Sequence, residues 1–536
     1  MQEEDQIWLQ RSSDIKLLYQ NCEFTKLIEQ LTYIKQDIDN NDGSEFNVIS
    51  CLNNIGVVYC ELGDFEKGKD FLTQAKENKA CDENETLKGI LLNNLSYIEF
   101  RISQFDKALE QLGASLEMKR EAAYQIVQES LANSLYNRGV VHFKMAYYFQ
   151  SLDSLNDALF FYKKAYGEKN WLTAMTECLI AMNEKTIGRH KQALELCLNA
   201  IDVLKEELPD DHPELATAYH TLGTIYFSTG DYENALKIHE KSYNMREKVY
   251  GKNNLMTAFS IHSIGNIYHL RNQSKEAIEN YEIALNIRLG VFGEENIDVG
   301  VTYGDIGQVY SKMKAYPNAI KFLESALSIF KKFFREDHPD IGTCYNNLGM
   351  IYEDIQEPEK ALKYLQMALK IYEKISGIFL PIMAISLNNI GSVYYSLGDL
   401  SKAVQAFEDS IKILKKNFDE GHPDIALGFG NLGYIYEDMK DYHHSILNYV
   451  KSIRHTLQIG NKEETRISSL LQRISSIHEE VKDLPRALQV LKKAHFFEKL
   501  GSGSGVNRVL QEVKYEINEL EKRSARVQKI DDSTTI

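Results

Sequence analysis

Proline is scarce in this chain, eight among 536 residues. So few interruptions suit long helices better than a fold rich in loops. Cysteine is nearly as sparse: the seven, at 22, 51, 60, 81, 178, 197 and 344, are an odd number with no Cys-x-x-Cys pair. A disulfide framework is therefore not expected, and a reducing, cytoplasmic setting is. Long apolar runs are missing too. The longest, residues 378–385, contains Pro381 and is far too short to cross a bilayer. The amino terminus, MQEEDQIWLQ, is acidic and lacks the basic start and apolar run of a secretory signal. Positive charge is in deficit, with a formal net charge of -16. Phosphate backbones and anionic lipid surfaces need clustered Lys and Arg, so neither nucleic acid nor a membrane is expected as a partner, whereas basic partners are easily accommodated.

Catalytic signatures are also wanting. No H-E-x-x-H, G-x-S-x-G or EF-hand pattern occurs, and GSGSG at 501–505 lacks the spacing and Lys-Ser/Thr of a phosphate loop. Nothing assembles a nucleophile, a base and an oxyanion site, so neither enzymatic activity nor a cofactor is expected. His220 and His262 occupy equivalent places 42 residues apart, but two histidines without a third ligand are read as groove polar residues and not as a metal site.

What the chain does have is repetition. YNNLGMIYED at 345–354 returns as FGNLGYIYED at 429–438. Gly349 and Gly433 belong to a ladder with Gly223, Gly265, Gly307 and Gly391 at a period of 42, extended by Gly139, Ala181 and Ser475 and, at spacings of 43 and 40, by Ser96 and Gly56. That makes eleven units. Twelve residues after each ladder position, and again seven later, stands a Gly, Ala or Ser, from Gly68 and Ala75 to Ala487 and Ala494. Small side chains at fixed points are what close helix packing requires. Around them apolar residues follow helical spacing, as in Ala361, Tyr364, Leu365 and Ala368. Gly-Asp pairs at 63/64, 230/231 and 398/399 mark a turn between two helices of each unit. His-Pro-Asp at 338–340 and 422–424, with His-Pro-Glu at 212–214, shares one register slot. That register favours a helix start, with Pro in the first turn and an acid near the positive helix end, over the chaperone-stimulating loop of J-domain proteins.

TLGTIYFSTGDYENAL at 221–236 resembles the tetratricopeptide repeat, and the match recurs along nearly the whole chain. The period exceeds the usual 34 by eight residues, which predicts a longer second helix and a slightly extended linker. With DHPE, DHPD and GHPD in that linker, the units resemble the kinesin light chain type. The first 50 residues lack sustained heptads, so the chain is read as a relative of those repeats and not as a motor subunit. The resemblance implies an all-α fold, an α-solenoid of about eleven helix-turn-helix repeats. Residues 1–45 are read as a degenerate amino-terminal helical repeat, 46–500 as the eleven tandem repeats, 501–526 as a capping helix and 527–536 as a flexible tail. The ending Thr534-Thr535-Ile536 fits the form of peptides captured by PDZ domains, a polar tail being the alternative.

The resemblance also implies a concave groove lined by the first helices, into which an Asn two residues before the repeat Gly reaches. Asn54, Asn94, Asn137, Asn347, Asn389 and Asn431 hold that slot, while Leu179, Thr221, Ser263 and Asp305 interrupt it. An amide donates and accepts at once, so a row of them can hold the backbone of an extended peptide of any sequence. Glu353, Asp354, Glu437 and Asp438 follow on the same face and, with Asp305, would make the carboxy-terminal groove acidic, surface solvation being the alternative. The function expected is a non-catalytic scaffold or adaptor binding protein or peptide segments, with a basic preference. A peptide-responsive regulatory sensor is the second expectation and an enzyme the third.

Overall fold

The computed structural model describes residues 24–40, 45–82, 84–120, 125–374, 380–417, 423–459 and 464–480. The GSGSG segment, the expected capping helix and the tail with Thr534 lie outside these. Among the described residues there are 23 helices and no strand. Ten consecutive helix pairs run from Glu45–Glu61 and Phe65–Glu77 to Pro423–Asp438 and Tyr442–Ile459. Phe24–Asn40 precedes them and Glu464–Glu480 follows. Second helices are the longer partners in the middle of the array, as in Pro213–Ser228 followed by Tyr232–Tyr250.

The small residues explain the pairing. A Cβ placed on Gly349 would lie 2.7 Å from Leu365 Cγ and 3.2 Å from the Ala361 carbonyl. The ladder residue is therefore where the first helix meets the side chain sixteen residues ahead, a place taken by Leu72, Leu155, His239, Tyr281, Leu323, Phe407 and Tyr449 in other units. The two later small positions are buried in every described unit. Where they are serine, the hydroxyl donates to a first-helix carbonyl: Ser151 to Gly139 at 2.7 Å, Ser445 to Gly433 at 2.8 Å and Ser452 to Ala426 at 2.6 Å. Ala and Ser interchange there because a buried hydroxyl is tolerated only with a partner.

Each pair turns through one residue of left-handed conformation, seven residues past the ladder position. Glycine fills it at Gly63, Gly188, Gly230 and Gly398, but Ser103, Ala146, Asn272, Lys314, Gln356 and Lys440 adopt it as well. At Gly63 the backbone bonds are those of a helix stop: Gly63 N to Cys60 O at 3.0 Å and Asp64 N to Tyr59 O at 2.9 Å. The following aspartate caps the second helix, Asp64 accepting from Lys67 N and Asp231 from Asn234 N. His212 caps the helix begun by Pro213, its Nδ1 accepting from Glu214 N at 3.2 Å. Pro339 and Pro423 also stand first in their helices.

The chain forms two compact units, Met1–His338 and Pro339–Ile536. The first coils far enough for its repeats to touch across a full turn. Phe24 stacks on Tyr250, Phe65 on Phe292 and Phe105 on Phe334, with ring centroids 5.7 to 5.9 Å apart. Polar bonds run along the same seam: Asn296 Nδ2 donates to Arg101 O, 195 residues away, and Lys144 pairs with Asp298 at 3.1 Å. Arg101 lies over the rings of Phe65 and Phe292, at 5.1 and 6.0 Å. Among the described residues no helix is long and apolar enough to cross a membrane.

Candidate functional site

The first helices of the amino-terminal unit, with the seam closing the turn, enclose a cavity of about 420 Å³. Its wall comes from six first helices, through residues such as Glu61, Tyr97, Asn137, Trp171, Glu214 and Met256. Two of the expected amides, Asn94 and Asn137, are part of it. They are not independent groups. Asn53 donates to Asn54 at 3.1 Å, Asn94 to Asn53 at 2.7 Å, Asn93 to Asn94 at 3.3 Å and Asn137 to Asn93 at 3.1 Å. The amides of three repeats thus form one chain of hydrogen bonds, in which the residue preceding the expected slot, Asn53 or Asn93, carries the link. Each bond fixes one half of an amide and sets the direction of the other. Asn54, at the end of this chain, is exposed.

Among the described residues of the carboxy-terminal unit the pattern recurs once, with Asn389 donating to Asn346 at 3.1 Å. Asn347 is half-buried beside it. A second pocket, of about 270 Å³, is lined by Glu353, Tyr395, Ser396, Asn431 and Tyr434. Here the expected acids separate into two kinds. Glu437 is engaged inside the protein, accepting from Tyr449 Oη at 2.5 Å and pairing with Arg473 at 3.1 Å. Arg473 stands in the amide slot of the last repeat and lies 3.9 Å over the Tyr434 ring. Asp438 accepts from the Tyr395 hydroxyl. Glu353 is different: one oxygen accepts from Ser396 at 3.3 Å, and the other is buried without a hydrogen-bond partner. Burial raises the Glu353 pKa. Asp354 is exposed.

Asp305 belongs to the first unit and is also engaged, 2.9 Å from His262 Nε2 across the repeat boundary. His220 does not pair with a carboxylate. It packs edge-on against His239, centroids 5.0 Å apart, beneath the Gly223 ladder position. Desolvation lowers the pKa of both rings, that of His239 to about 4, so they sit neutral in the core. Among the described residues no group of side chains could hold a metal ion.

Sequence reasoning missed the acids of the larger cavity. Glu61 lies five residues past its ladder position, the register of Asp354 and Asp438, so periodicity could have found it. Glu214 was read only as the acid of a helix start. The aromatic wall of Tyr97, Tyr136, Tyr162, Trp171 and Tyr250 carried no repeat signal.

Sequence profiles of the tetratricopeptide repeat match residues 172–248, 214–290, 298–374, 356–416 and 382–458, together just over half of the chain. Among solved structures, the Rap protein complexed with Competence and Sporulation Factor is similar, at 16% identity and a TM-score of 0.52, over 68% of this chain and 97% of that one. The apo form of RapI is 17% identical, with a TM-score of 0.40, over 53% and 98%. Repeats of a putative kinesin light chain of Podosopora anserina are 20% identical, with a TM-score of 0.30, over 38% and 95%. No curated protein sequence matches.

Proposed function

Since the chain belongs to the tetratricopeptide repeat family, we propose that it is a non-catalytic adaptor whose first helices hold extended peptide segments of other proteins along their inner face. The observation that carries this reading is the amide chain from Asn54 to Asn137, which borders the larger cavity. Amides already bonded to one another are pre-oriented, so a peptide backbone meets donors and acceptors at little entropic cost. The Rap structure of like fold is a complex with a ligand, which agrees with such use of a coiled array. The setting proposed is the cytoplasm.

The carboxy-terminal pocket adds charge selection to the proposal. With Glu437 engaged by Arg473, the acids left for a basic peptide are Glu353, Asp354 and the exposed Asp438, whose partner is the neutral Tyr395 hydroxyl. The test is a peptide array scored at low and high salt. Asn94→Ala with Asn137→Ala, and Asn347→Ala with Asn389→Ala, should weaken ligands irrespective of sequence, by about 0.5 to 1.5 kcal/mol per hydrogen bond. Glu353→Gln with Asp354→Asn and Asp438→Asn should instead reduce the preference for Lys and Arg, the salt-sensitive part of binding. Glu437→Gln should lower stability and leave selectivity alone. A wild-type preference for acidic peptides would refute the charge assignment, and unchanged binding by the amide variants would refute the groove.

A further inference from the structure

The larger cavity has a charge pattern that the adaptor reading does not require. Glu61 and Glu214 are its charged wall residues; no Lys, Arg or His lines it. Neither carboxylate makes a hydrogen bond or ion pair among the described residues. The cations that act on them, Arg101 and Arg246, do not line the cavity and donate elsewhere, with Arg101 Nη2 and Arg246 Nε left without a hydrogen-bond partner among those residues. Arg101 donates to the Tyr97 hydroxyl at 2.9 Å and lies over Phe65. Arg246 donates to Met256 O at 3.1 Å, Ser260 Oγ at 3.0 Å and Thr217 Oγ1 at 3.2 Å. Two carboxylates therefore face an enclosed space bounded by Tyr97, Tyr136 and Trp171, ring faces and apolar edges that suit the stem and head of an organic cation.

We propose that this cavity is a binding site for a guanidinium or ammonium group, with Glu61 and Glu214 as its paired counter-charges and Trp171 in its wall. Its source is the Arg or Lys side chain of a peptide laid along Asn94 and Asn137, so the assignment rests on the groove reading above. A volume of about 420 Å³ is at the small end of ligand sites, about 300 to 1,000 Å³, and accepts a long side chain with a little backbone. The electrostatics of the cavity agree. Burial first, and then the charge of Glu61, push the Glu214 pKa up to about 7 against the pull of Arg246. Burial also raises Glu61, with Arg101 opposing. A bound cation relieves both carboxylates, so binding strengthens as Glu214 ionises.

The chain has two tryptophans, Trp8 and Trp171, so Trp8→Phe leaves a fluorophore in the cavity wall. Full-length Trp8→Phe protein is titrated with three probes: random pentapeptides with Arg fixed at the centre, the same library with citrulline there, and free agmatine. The expected result is a saturable change in Trp171 emission with half-saturation at least tenfold lower for Arg than for citrulline. That ratio should be several-fold larger at pH 8 than at pH 6 and should collapse to about one in Glu61→Gln/Glu214→Gln, while Glu233→Gln, on an exposed second-helix face, leaves it unchanged. The wild-type pH comparison tests the proposal even if the double variant folds poorly. Equal response to Arg and citrulline overturns the cation site and leaves the groove reading intact. Silence from both libraries with a response to agmatine supports the cation site and overturns the peptide source. Silence from all three overturns the site.

Discussion

Gly433→Ala puts one methyl group where the packing of first and second helix is tightest. Its Cβ would lie 2.5 Å from Tyr449 Cε1 and 2.9 Å from Cγ, roughly 1 Å inside the optimal carbon–carbon separation of about 3.5 to 4.0 Å. Tyr449 cannot easily yield: it is wholly buried, packs edge-on against Tyr434 with centroids 5.5 Å apart, and holds Glu437 through its hydroxyl. Overpacking of this kind costs about 1 to 3 kcal/mol, and weakening a hydrogen bond to a charged group costs up to about 1.5 to 3 more. Against this stands the gain of about 1 kcal/mol from replacing a helical glycine by alanine. The net expectation is a loss of about 1 to 3 kcal/mol.

The control is Gly113→Ala, on an exposed helix position where a Cβ would meet nothing within 4 Å; it should stabilise by about 0.5 to 1 kcal/mol. A rescue is suggested by the unit in which the ladder residue is Ala181 and the packing partner is the smaller Cys197, both fully buried in one cluster. In a Tyr449→Cys background, Gly433→Ala should therefore cost little, a coupling readable from a double-mutant cycle. Urea melts followed by circular dichroism, with hydrogen exchange of the amides of residues 423–459, measure wild type and the four variants. If Gly433→Ala is as stabilising as Gly113→Ala, the ladder is not a close-packing device and the reasoning fails.

Removing residues 381–422, one complete period of 42, should leave a folded, shorter helical protein, whereas removing half that length should not, because each repeat packs mainly on its neighbours; circular dichroism and scattering compare the two. Glu214 has a folded pKa of about 7, above its ordinary 4.5, so its ionisation penalty is absent below about pH 4.5 and grows until pH passes 7. Glu214→Gln should accordingly match wild type in melting at pH 4 and exceed it at pH 8, by about 1 to 3 kcal/mol. Asp298 shows the opposite sign: burial alone would raise its pKa, but Lys144, then Arg288 and Arg101, hold it at about 2. Asp298→Asn should cost about 2 kcal/mol at pH 7 and speed hydrogen exchange at residues 101–103 and 296–298. The difference from wild type should shrink as pH falls from 3.8 towards 2.

Local packing rules were legible in the sequence because they recur. Eleven chances to read Gly349 or Ala361 expose the close helix contact, and His-Pro-Asp in one register exposes a helix start. Covalent order suffices for these, since the packing partner is always sixteen residues or so away. Turn conformation was only half legible. Gly63 and Gly230 announced a left-handed residue, but Lys314 and Gln356 take the same conformation because the docked helix pair forces it on them. The register of the amides was legible, yet their linkage through Asn53 and Asn93 was not, because a hydrogen bond between repeats depends on how far one unit rotates on the next. That rotation accumulates over the turn and is encoded at no single position. It brings Phe65 to Phe292 and Lys144 to Asp298, closes the cavity, and turns Glu61 and Glu214, separated by more than three repeats of sequence, towards one enclosed space. The repeat by itself determined the helices and their pairing; the superhelical pitch, a sum of many small interface angles, decided which distant side chains share a site.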